Sequence, residues 1–162
     1  MASTEDRLSA LERRLQAVED ELAIYKLVVS YGFAVDTGDA EWTASLFAED
    51  AVFDIDTLKI DGRQEVRAMV LGERHQSLLP NCAHTIGPLT VDVEGDQAQA
   101  RGYSRLYLRS GDGIDLWRLS FNRWNLERRG GTWQIVRRWT RLIGHEDAGD
   151  LLRTRPLQRK DT

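Results

Sequence analysis

Asp36 lies at the apolar end of a predicted helix, where burying its negative charge would cost free energy. Asp36 follows the run SYGFAV and is followed at once by Thr37 and Gly38. Burying an unpaired carboxylate costs on the order of several kcal/mol. Asp36 therefore needs either a polar partner or a part in proton transfer, which makes it the first candidate for chemistry.

Few other residue types suggest a catalytic or metal site. The histidines are His75, His84 and His145, and Cys82 is the single cysteine. Their spacing matches neither HxH nor HExxH, so no metal site is predicted, and one cysteine cannot form an intrachain disulfide. The sequence also lacks the GxGxxG and GxxxxGK[ST] phosphate loops and the GxSxG nucleophile motif. We therefore predict a site that works without a cofactor.

Composition restricts the class of protein. The chain has 162 residues, 41% of them apolar and 30% charged, as expected of one globular domain. A net charge of −4 disfavours a nucleic-acid partner. No stretch approaches the roughly 18 apolar residues of a membrane span, and the N-terminus is charged from Glu5 onward, unlike a signal peptide. The expected location is cytoplasmic, with no membrane partner.

The first part of the chain predicts one long helix over residues 5–36. Its apolar residues recur at spacings of three and four, giving about three heptads: Leu8, Leu11, Leu15, Val18, Leu22 and Tyr25. This pattern indicates either a helix packed on its own domain or a contact between copies. The second interpretation makes a homo-oligomer, dimer or trimer, the expected state.

The remaining elements predict an α+β domain, because helices come first and a meander of strands follows. A short helix is expected over 40–48 and a third helix over 63–75. Strands are expected over 51–55, 58–60, 82–95, 97–109, 115–128 and 132–144. We place one domain at residues 1–145 and a partly disordered tail at 146–162.

This order of elements resembles the nuclear transport factor 2 (NTF2)-like superfamily, in particular the SnoaL-like branch with scytalone dehydratase and bile acid 7α-dehydratase. Four stretches carry the resemblance: LAIYKLVVSYGFAVDTGD, LFAEDAVFD, NCAHTIGPLTVDVEGDQAQARGY and GGTWQIVRRW. The resemblance implies a cone-shaped barrel, in which a curved, mostly antiparallel sheet packs on three helices, the first of them long.

The resemblance also implies a catalytic site. It pairs Asp36 with His84, so that the imidazole abstracts a proton while the carboxylate fixes its tautomer. Tyr31 matches a tyrosine of the dehydratases. Arg141 and Arg138 match arginines of two different members, and an ideal strand would turn only one of them inward. We expect Arg141 to be the one that faces inward, to stabilise an enolate oxygen or orient a substituent.

The predicted function is that of a cofactor-independent lyase acting by dehydratase-like elimination. Aromatic residues in the expected pocket suggest a small apolar, cyclic or aromatic substrate: Phe53, Trp117, Phe121 and Trp139. Two alternatives remain open at this point. The same dyad serves an isomerase or a polyketide cyclase, and a non-catalytic domain that binds small molecules needs only the pocket.

Overall fold

The computed structural model describes residues 3–153, and its longest element is the N-terminal helix. This helix, α1, spans Thr4–Asp36. Ser3 caps it: the Asp6 amide donates to Ser3 Oγ at 3.0 Å, and the Ser3 amide donates to Asp6 Oδ2 at 2.9 Å. The chain leaves the helix through Gly38 in the left-handed region, at φ 68°. The prediction of a long N-terminal helix is confirmed.

The sheet is six-stranded, mixed and open. Its order is β2-β1-β6-β5-β4-β3, with β1 and β6 parallel and every other pair antiparallel. The strands are β1 Phe47–Ile55, β2 Leu58–Asp61, β3 Cys82–Glu94, β4 Gln97–Ser110, β5 Gly113–Arg129 and β6 Thr132–Leu142. The α+β class and the mostly antiparallel pairing are confirmed. The sheet does not close into a barrel, because β2 and β3 remain as its two edges.

Within residues 3–153 four short helices follow α1: α2 Ala40–Ser45, α3 Arg63–Leu71, α4 Glu73–Gln76 and α5 Ala148–Leu152. The predicted helices over 40–48 and 63–75 are too long. Phe47 already belongs to β1, and Gly72, with extended backbone at ψ 147°, separates α3 from α4.

The C-terminal segment also differs from the prediction. Helix α5 packs on β5 with Ala148 and Leu151 buried, so this part of the tail contains a helix that the sequence did not predict. The rest of the tail, residues 154–162, lies outside the described residues.

The core lies between α1 and the inner face of the sheet. Ile24, Val28 and Val35 of α1 are at most 1% exposed, as are Trp124 and Ile135 of the sheet. This packing fixes the direction of α1 across the sheet and hence the position of its C-terminal end. None of the helices formed by residues 3–153 combines the length and the apolarity needed to cross a lipid bilayer.

A buried ion pair fixes α1 further. Asp20 accepts from Arg128 Nη2 at 2.6 Å and from Trp133 Nε1 at 3.1 Å, both in the β5–β6 hairpin. Burial acts to raise the pKa of Asp20. Hydrogen bonds from Arg128, Trp133 and Gln16 outweigh that effect and hold the pKa below its usual value.

A candidate active site at the C-terminal end of α1

Asp36 and His84 meet at the C-terminal end of α1. His84 Nδ1 lies 2.6 Å from Asp36 Oδ1, and the backbone amide of His84 donates to Asp36 Oδ2, also at 2.6 Å. Both carboxylate oxygens are thus used by one residue. With the carboxylate as acceptor, Nδ1 carries the proton and Nε2 is left as the basic nitrogen. The two side chains are each 20% exposed, so the pair is accessible from one side.

The close approach of α1 to β3 depends on a glycine. A Cβ at Gly32 would overlap the backbone carbonyl oxygen of His84. Only a residue without a side chain therefore lets the helix lie against this strand. His75 also contacts the last turn of α1, since its Nε2 lies 2.8 Å from the carbonyl oxygen of Val35. These contacts hold Asp36 within reach of His84.

Cys82 is the third polar side chain at this end of the helix. Its Sγ lies 3.7 Å from Asp36 Oδ1, and burial, together with the charge of Asp36, raises the pKa of the thiol to about 11. The thiol is therefore protonated at neutral pH and is a weak donor rather than a nucleophile.

Asp36, Cys82 and His84 are also residues that could hold a metal, since their donor atoms lie within 4.8 Å of one another. Two ligands of a tetrahedral zinc, each about 2.0–2.1 Å from the ion, lie roughly 3.3 Å apart. The 2.6 Å between His84 Nδ1 and Asp36 Oδ1 is shorter than that. The observed arrangement is that of a hydrogen-bonded pair.

A cavity of about 110 Å³ opens beside His84. Its inner wall is buried, with Tyr31, Phe53 and Arg138 each at most 6% exposed. Towards solvent, Arg118 pairs with Asp56, and both of these side chains are about a quarter exposed. The lining comprises Tyr31, Phe53, Ile55, His84, Ser104, Arg105, Leu106, Arg118, Arg138 and Thr140.

Arg138 places a positive charge on the inner wall without a carboxylate partner among residues 3–153. Its Nη2 donates to Asn122 Oδ1 at 3.1 Å, whereas Nε and Nη1 have no hydrogen-bond partner in the described part of the chain. The guanidinium carbon lies 4.2 Å from the ring centroid of Tyr31 and 4.4 Å from that of Phe53. Burial lowers the pKa of Arg138, and Tyr31 offsets part of this effect. Such a group favours an anionic or electron-rich oxygen in the cavity.

Tyr31 supplies a hydroxyl group to the same wall. Its ring packs edge-on against Phe47 and Phe53, at centroid distances of 6.1 and 6.2 Å. Burial raises the pKa of the phenol, and the charge of Arg138 offsets part of the rise. Tyr31 is therefore a neutral hydrogen-bond donor beside Arg138. The structure brings it into the same cavity as His84.

The expectation that Arg141 faces the cavity is wrong, and Arg138 takes that place. Leu126 pairs with Ile135, but Asn125 pairs with Arg137, so Val136 is an extra residue in β6. Such a β-bulge shifts the alternation of side chains by one position. Trp133 and Ile135 point to the core before the bulge, and Arg138 and Thr140 are the buried lining residues after it.

Arg141 belongs to a different set of contacts. It binds Asp54 Oδ1 at 2.7 Å through Nη1 and Asp147 Oδ2 at 3.1 Å through Nε. Its charge is thus neutralised by two carboxylates outside the cavity lining. This arrangement explains its burial without a role in substrate binding.

Of the four aromatic residues expected at the pocket, only Phe53 lines the cavity. Trp117 is 54% exposed, Phe121 packs edge-on against Tyr103 at 5.2 Å, and Trp139 lies under Arg137 at 4.7 Å. The bulge again explains Trp139, since it moves odd-numbered residues beyond Val136 away from the cavity.

A polar network beneath the cavity was not predicted. Asn122, fully buried, accepts from Thr140 Oγ1 at 2.6 Å and from Arg138, and its Nδ2 donates to Ser104 Oγ at 2.9 Å. A polar residue in a strand ordinarily suggests a solvent-facing position, so the sequence carried no signal for this network.

Fold and site together define an α+β domain with a long first helix and an Asp–His pair at the mouth of a small cavity. The SnoaL-like domain family matches residues 16–139. The chain therefore belongs to the SnoaL-like family, which has the NTF2-like fold.

Solved structures agree with this assignment. An NTF2-like protein with a cystatin-like fold from Novosphingobium aromaticivorans is 34% identical, with a TM-score of 0.88, and the match covers 95% of this chain and 99% of that one. A protein of unknown function from Mycobacterium tuberculosis is 27% identical over 84% of this chain and 79% of its own, with a TM-score of 0.73. The comparison with curated proteins found no match.

A protein described as a scytalone dehydratase, also from Novosphingobium aromaticivorans, shares the fold. It is 18% identical, with a TM-score of 0.64, and the match covers 78% of this chain and 85% of that one. At this identity the likeness concerns the fold alone. The solved structures that share this fold thus include a protein described as an enzyme beside proteins of unknown function.

Proposed function

We propose that the protein is a cofactor-independent lyase that eliminates a group, most simply water, from a small substrate. The observation that carries the proposal is the pairing of His84 with Asp36 at the cavity. A histidine whose Nδ1 donates to a carboxylate presents Nε2 as a base and is stabilised when it becomes protonated. A base of this kind contributes about 10²–10⁴ to the rate.

The elimination balances with this one base. Nε2 of His84 takes a proton from the carbon next to a carbonyl group, and the electron pair of that C–H bond forms a carbon–carbon double bond. The bond from the neighbouring carbon to its hydroxyl group breaks. The imidazolium of His84 then returns its proton to the departing hydroxide, which leaves as water, so no oxidant or reductant is needed.

Arg138 and Tyr31 would stabilise the oxygen that becomes negative. Both lie on the inner wall, and two guanidinium nitrogens of Arg138 have no protein acceptor among residues 3–153. Donors arranged in advance around a developing oxyanion contribute about 10²–10³ each. In this proposal Arg138 takes the role that the sequence had assigned to Arg141.

The cavity limits the substrate. A volume of about 110 Å³ is smaller than the roughly 150 Å³ cavity that accommodates benzene. A cyclic substrate would therefore place its carbonyl and reacting carbons inside and the rest towards the opening near Arg118. Phe53, Ile55 and Leu106 offer an apolar wall, so the part inside would be apolar apart from the oxygen that meets Arg138.

The test is a screen of ring compounds with a carbonyl group, run in D₂O and followed by mass spectrometry. We expect the wild type to produce a compound lighter by one water, and His84→Gln to be slower by about 10²–10⁴. His145→Gln is the matched control, because His145 binds Asp147 and lies outside the cavity lining. Deuterium uptake without loss of mass would indicate isomerisation instead. A ligand bound equally well by wild type and His84→Gln, without turnover, would indicate a binding protein.

A direct test of the dyad uses NMR of the imidazole nitrogens in wild type and Asp36→Asn. We expect His84 to hold its proton on Nδ1 in the wild type and to lose that preference in the variant. An unchanged tautomer in Asp36→Asn would contradict the proposed role of Asp36. We also propose that the protein is cytoplasmic and that it forms a homo-oligomer.

A further inference from the structure

Helix α1 carries an exposed apolar stripe that its own domain leaves uncovered. The residues of this stripe, called the α1 seam, are between 42% and 62% exposed: Leu8, Leu11, Leu15, Val18, Leu22 and Tyr25. Their spacings alternate between three and four, as in the a and d positions of a coiled coil. A contiguous apolar stripe of this kind marks a contact surface rather than scattered surface residues.

The domain itself covers the opposite side of the helix. Asp20 and Ile24 face the sheet and are buried, and each is about 160° around the helix from Leu22. Residues 11–19 are exposed on every side, so this part of α1 extends beyond the rest of the domain. The interpretation that the α1 seam packs on its own domain is therefore wrong for the described residues. The seam is free to meet another chain.

The charges beside the α1 seam indicate which chain it meets. With Leu8, Leu15 and Leu22 at a, the e and g positions flank the seam, and in a parallel coiled coil each g residue faces the e residue five positions later in the second helix. All three pairs available to two copies of this chain have opposite charges. They are Arg7 with Glu12, Arg14 with Glu19, and Glu21 with Lys26 of the second copy.

The antiparallel arrangement is less favourable. There, e residues face e residues and g residues face g residues. In the register that pairs Leu15 with Val18, Glu12 of each copy would lie beside Glu19 of the other, which repels. Arg14 beside Glu21 and Glu5 beside Lys26 attract in the same register, so the antiparallel arrangement has two attractive kinds of pair and one repulsive kind. The parallel arrangement has no like-charged pair.

We propose that α1 forms a parallel coiled coil with a second copy of this chain, held by the α1 seam and directed by the three charge pairs. The contact ends near Tyr25, because Val28 and Tyr31 are buried within their own domain. The domains then lie at the same end of the coil, each attached through the opposite side of its helix. This contact is independent of the proposed reaction.

The first test compares two lysine substitutions by analytical ultracentrifugation. We expect the wild type to sediment as two chains of 18.5 kDa each. Leu15→Lys should weaken association at least about 100-fold, because a buried leucine is lost from every helix. Ala17→Lys adds the same side chain at an exposed position off the seam and should have little effect. A wild type that stays at 18.5 kDa, or a Leu15→Lys variant that still associates, would overturn the proposal.

The second test measures orientation with single cysteines under mild oxidation. Leu11→Cys should form a disulfide-linked dimer, since position 11 faces its own equivalent only in a parallel coil. Arg13→Cys, on the outer side of the helix, should not. The natural Cys82 does not confuse the result, because its thiol has a pKa raised to about 11. A cross-link at residue 13 alone, or none at residue 11 in an associated protein, would refute the parallel coil. Circular dichroism of each variant establishes that α1 is folded.

Discussion

Replacing Arg138 with methionine tests whether this residue serves substrate binding or the stability of the fold. Methionine retains much of the length and apolar volume of the side chain and still packs against aromatic rings. It removes the buried charge that lines the cavity. If Arg138 serves substrate binding, the variant should lose activity while its folding is nearly unchanged.

The size of the stability effect follows from the contacts of Arg138. Two nitrogens, Nε and Nη1, are buried without partners in the described part of the chain, and each such group costs about 1–3 kcal/mol. The substitution removes that cost. It also loses the hydrogen bond to Asn122, worth about 1.5–3 kcal/mol, and cation–π contacts worth about 2 kcal/mol. At the middle of these ranges the gain and the loss cancel, so we expect the free energy of unfolding to change by about 1 kcal/mol, and by no more than about 3 kcal/mol at their extremes.

Arg141→Met is the matched control in the same strand. Arg141 is also buried but binds Asp54 and Asp147, so its loss leaves Asp54 without its arginine and Asp147 with His145 alone. Because these carboxylates are 25% and 45% exposed, water replaces part of the lost interaction. We expect a destabilisation of about 2 kcal/mol, discounted for this exposure, with little change in kcat.

Urea unfolding followed by tryptophan fluorescence measures both stabilities, and turnover of the substrate found by the screen measures activity. We expect Arg138→Met to lose about 10²–10³ in rate. A loss of several kcal/mol in Arg138→Met would refute this reasoning, because it would make Arg138 a structural residue. So would an active and fully stable variant, which would leave Arg138 without a function.

Two further predictions concern how α1 is held against the sheet. Gly32→Ala should destabilise the protein by about 1–3 kcal/mol in urea unfolding, because the added Cβ would overlap the backbone oxygen of His84. Gly149→Ala is the control: its Cβ would meet nothing within 4 Å, so the variant should be as stable as the wild type or slightly more stable. The folded-state pKa of Asp20 is depressed, so its contribution to stability is present above the usual Asp range and is lost as pH falls through the folded pKa. Asp20→Asn should therefore be less stable than the wild type at pH 7 and should lose less stability as the pH falls. If the free energy of unfolding decreased equally with pH in both proteins, the lowered pKa of Asp20 would be contradicted.

The sequence predicted the order of the elements well because each long element repeats its signal many times. The heptads of α1 and the alternation of β3 to β6 extend over ten or more residues, so local exceptions do not hide them. The meeting of Asp36 with His84 followed from the family resemblance, and the structure places them in contact.

Local irregularities explain why the predictions for individual cavity residues and for helix α5 were wrong or missing. One extra residue at Val136 exchanges the two faces of β6, and strict alternation therefore assigned Arg141 and Trp139 to the cavity. No residue type specifies such a bulge by itself, since it depends on pairing with β5. Helix α5 was missed for a related reason: five residues carry little periodicity, and burial of Ala148 and Leu151 against β5 stabilises them.

The open sheet has two edges, and both are poorly suited to pairing with another strand. Strand β2 is only four residues long and carries Lys59 and Asp61. Strand β3 is longer, but Pro88 has no amide hydrogen to donate, and the register shifts between Ile86 and Leu89. Neither edge offers a straight row of free backbone groups. Neither edge therefore favours pairing with a strand of another copy, and the protein is protected from aggregation by strand addition.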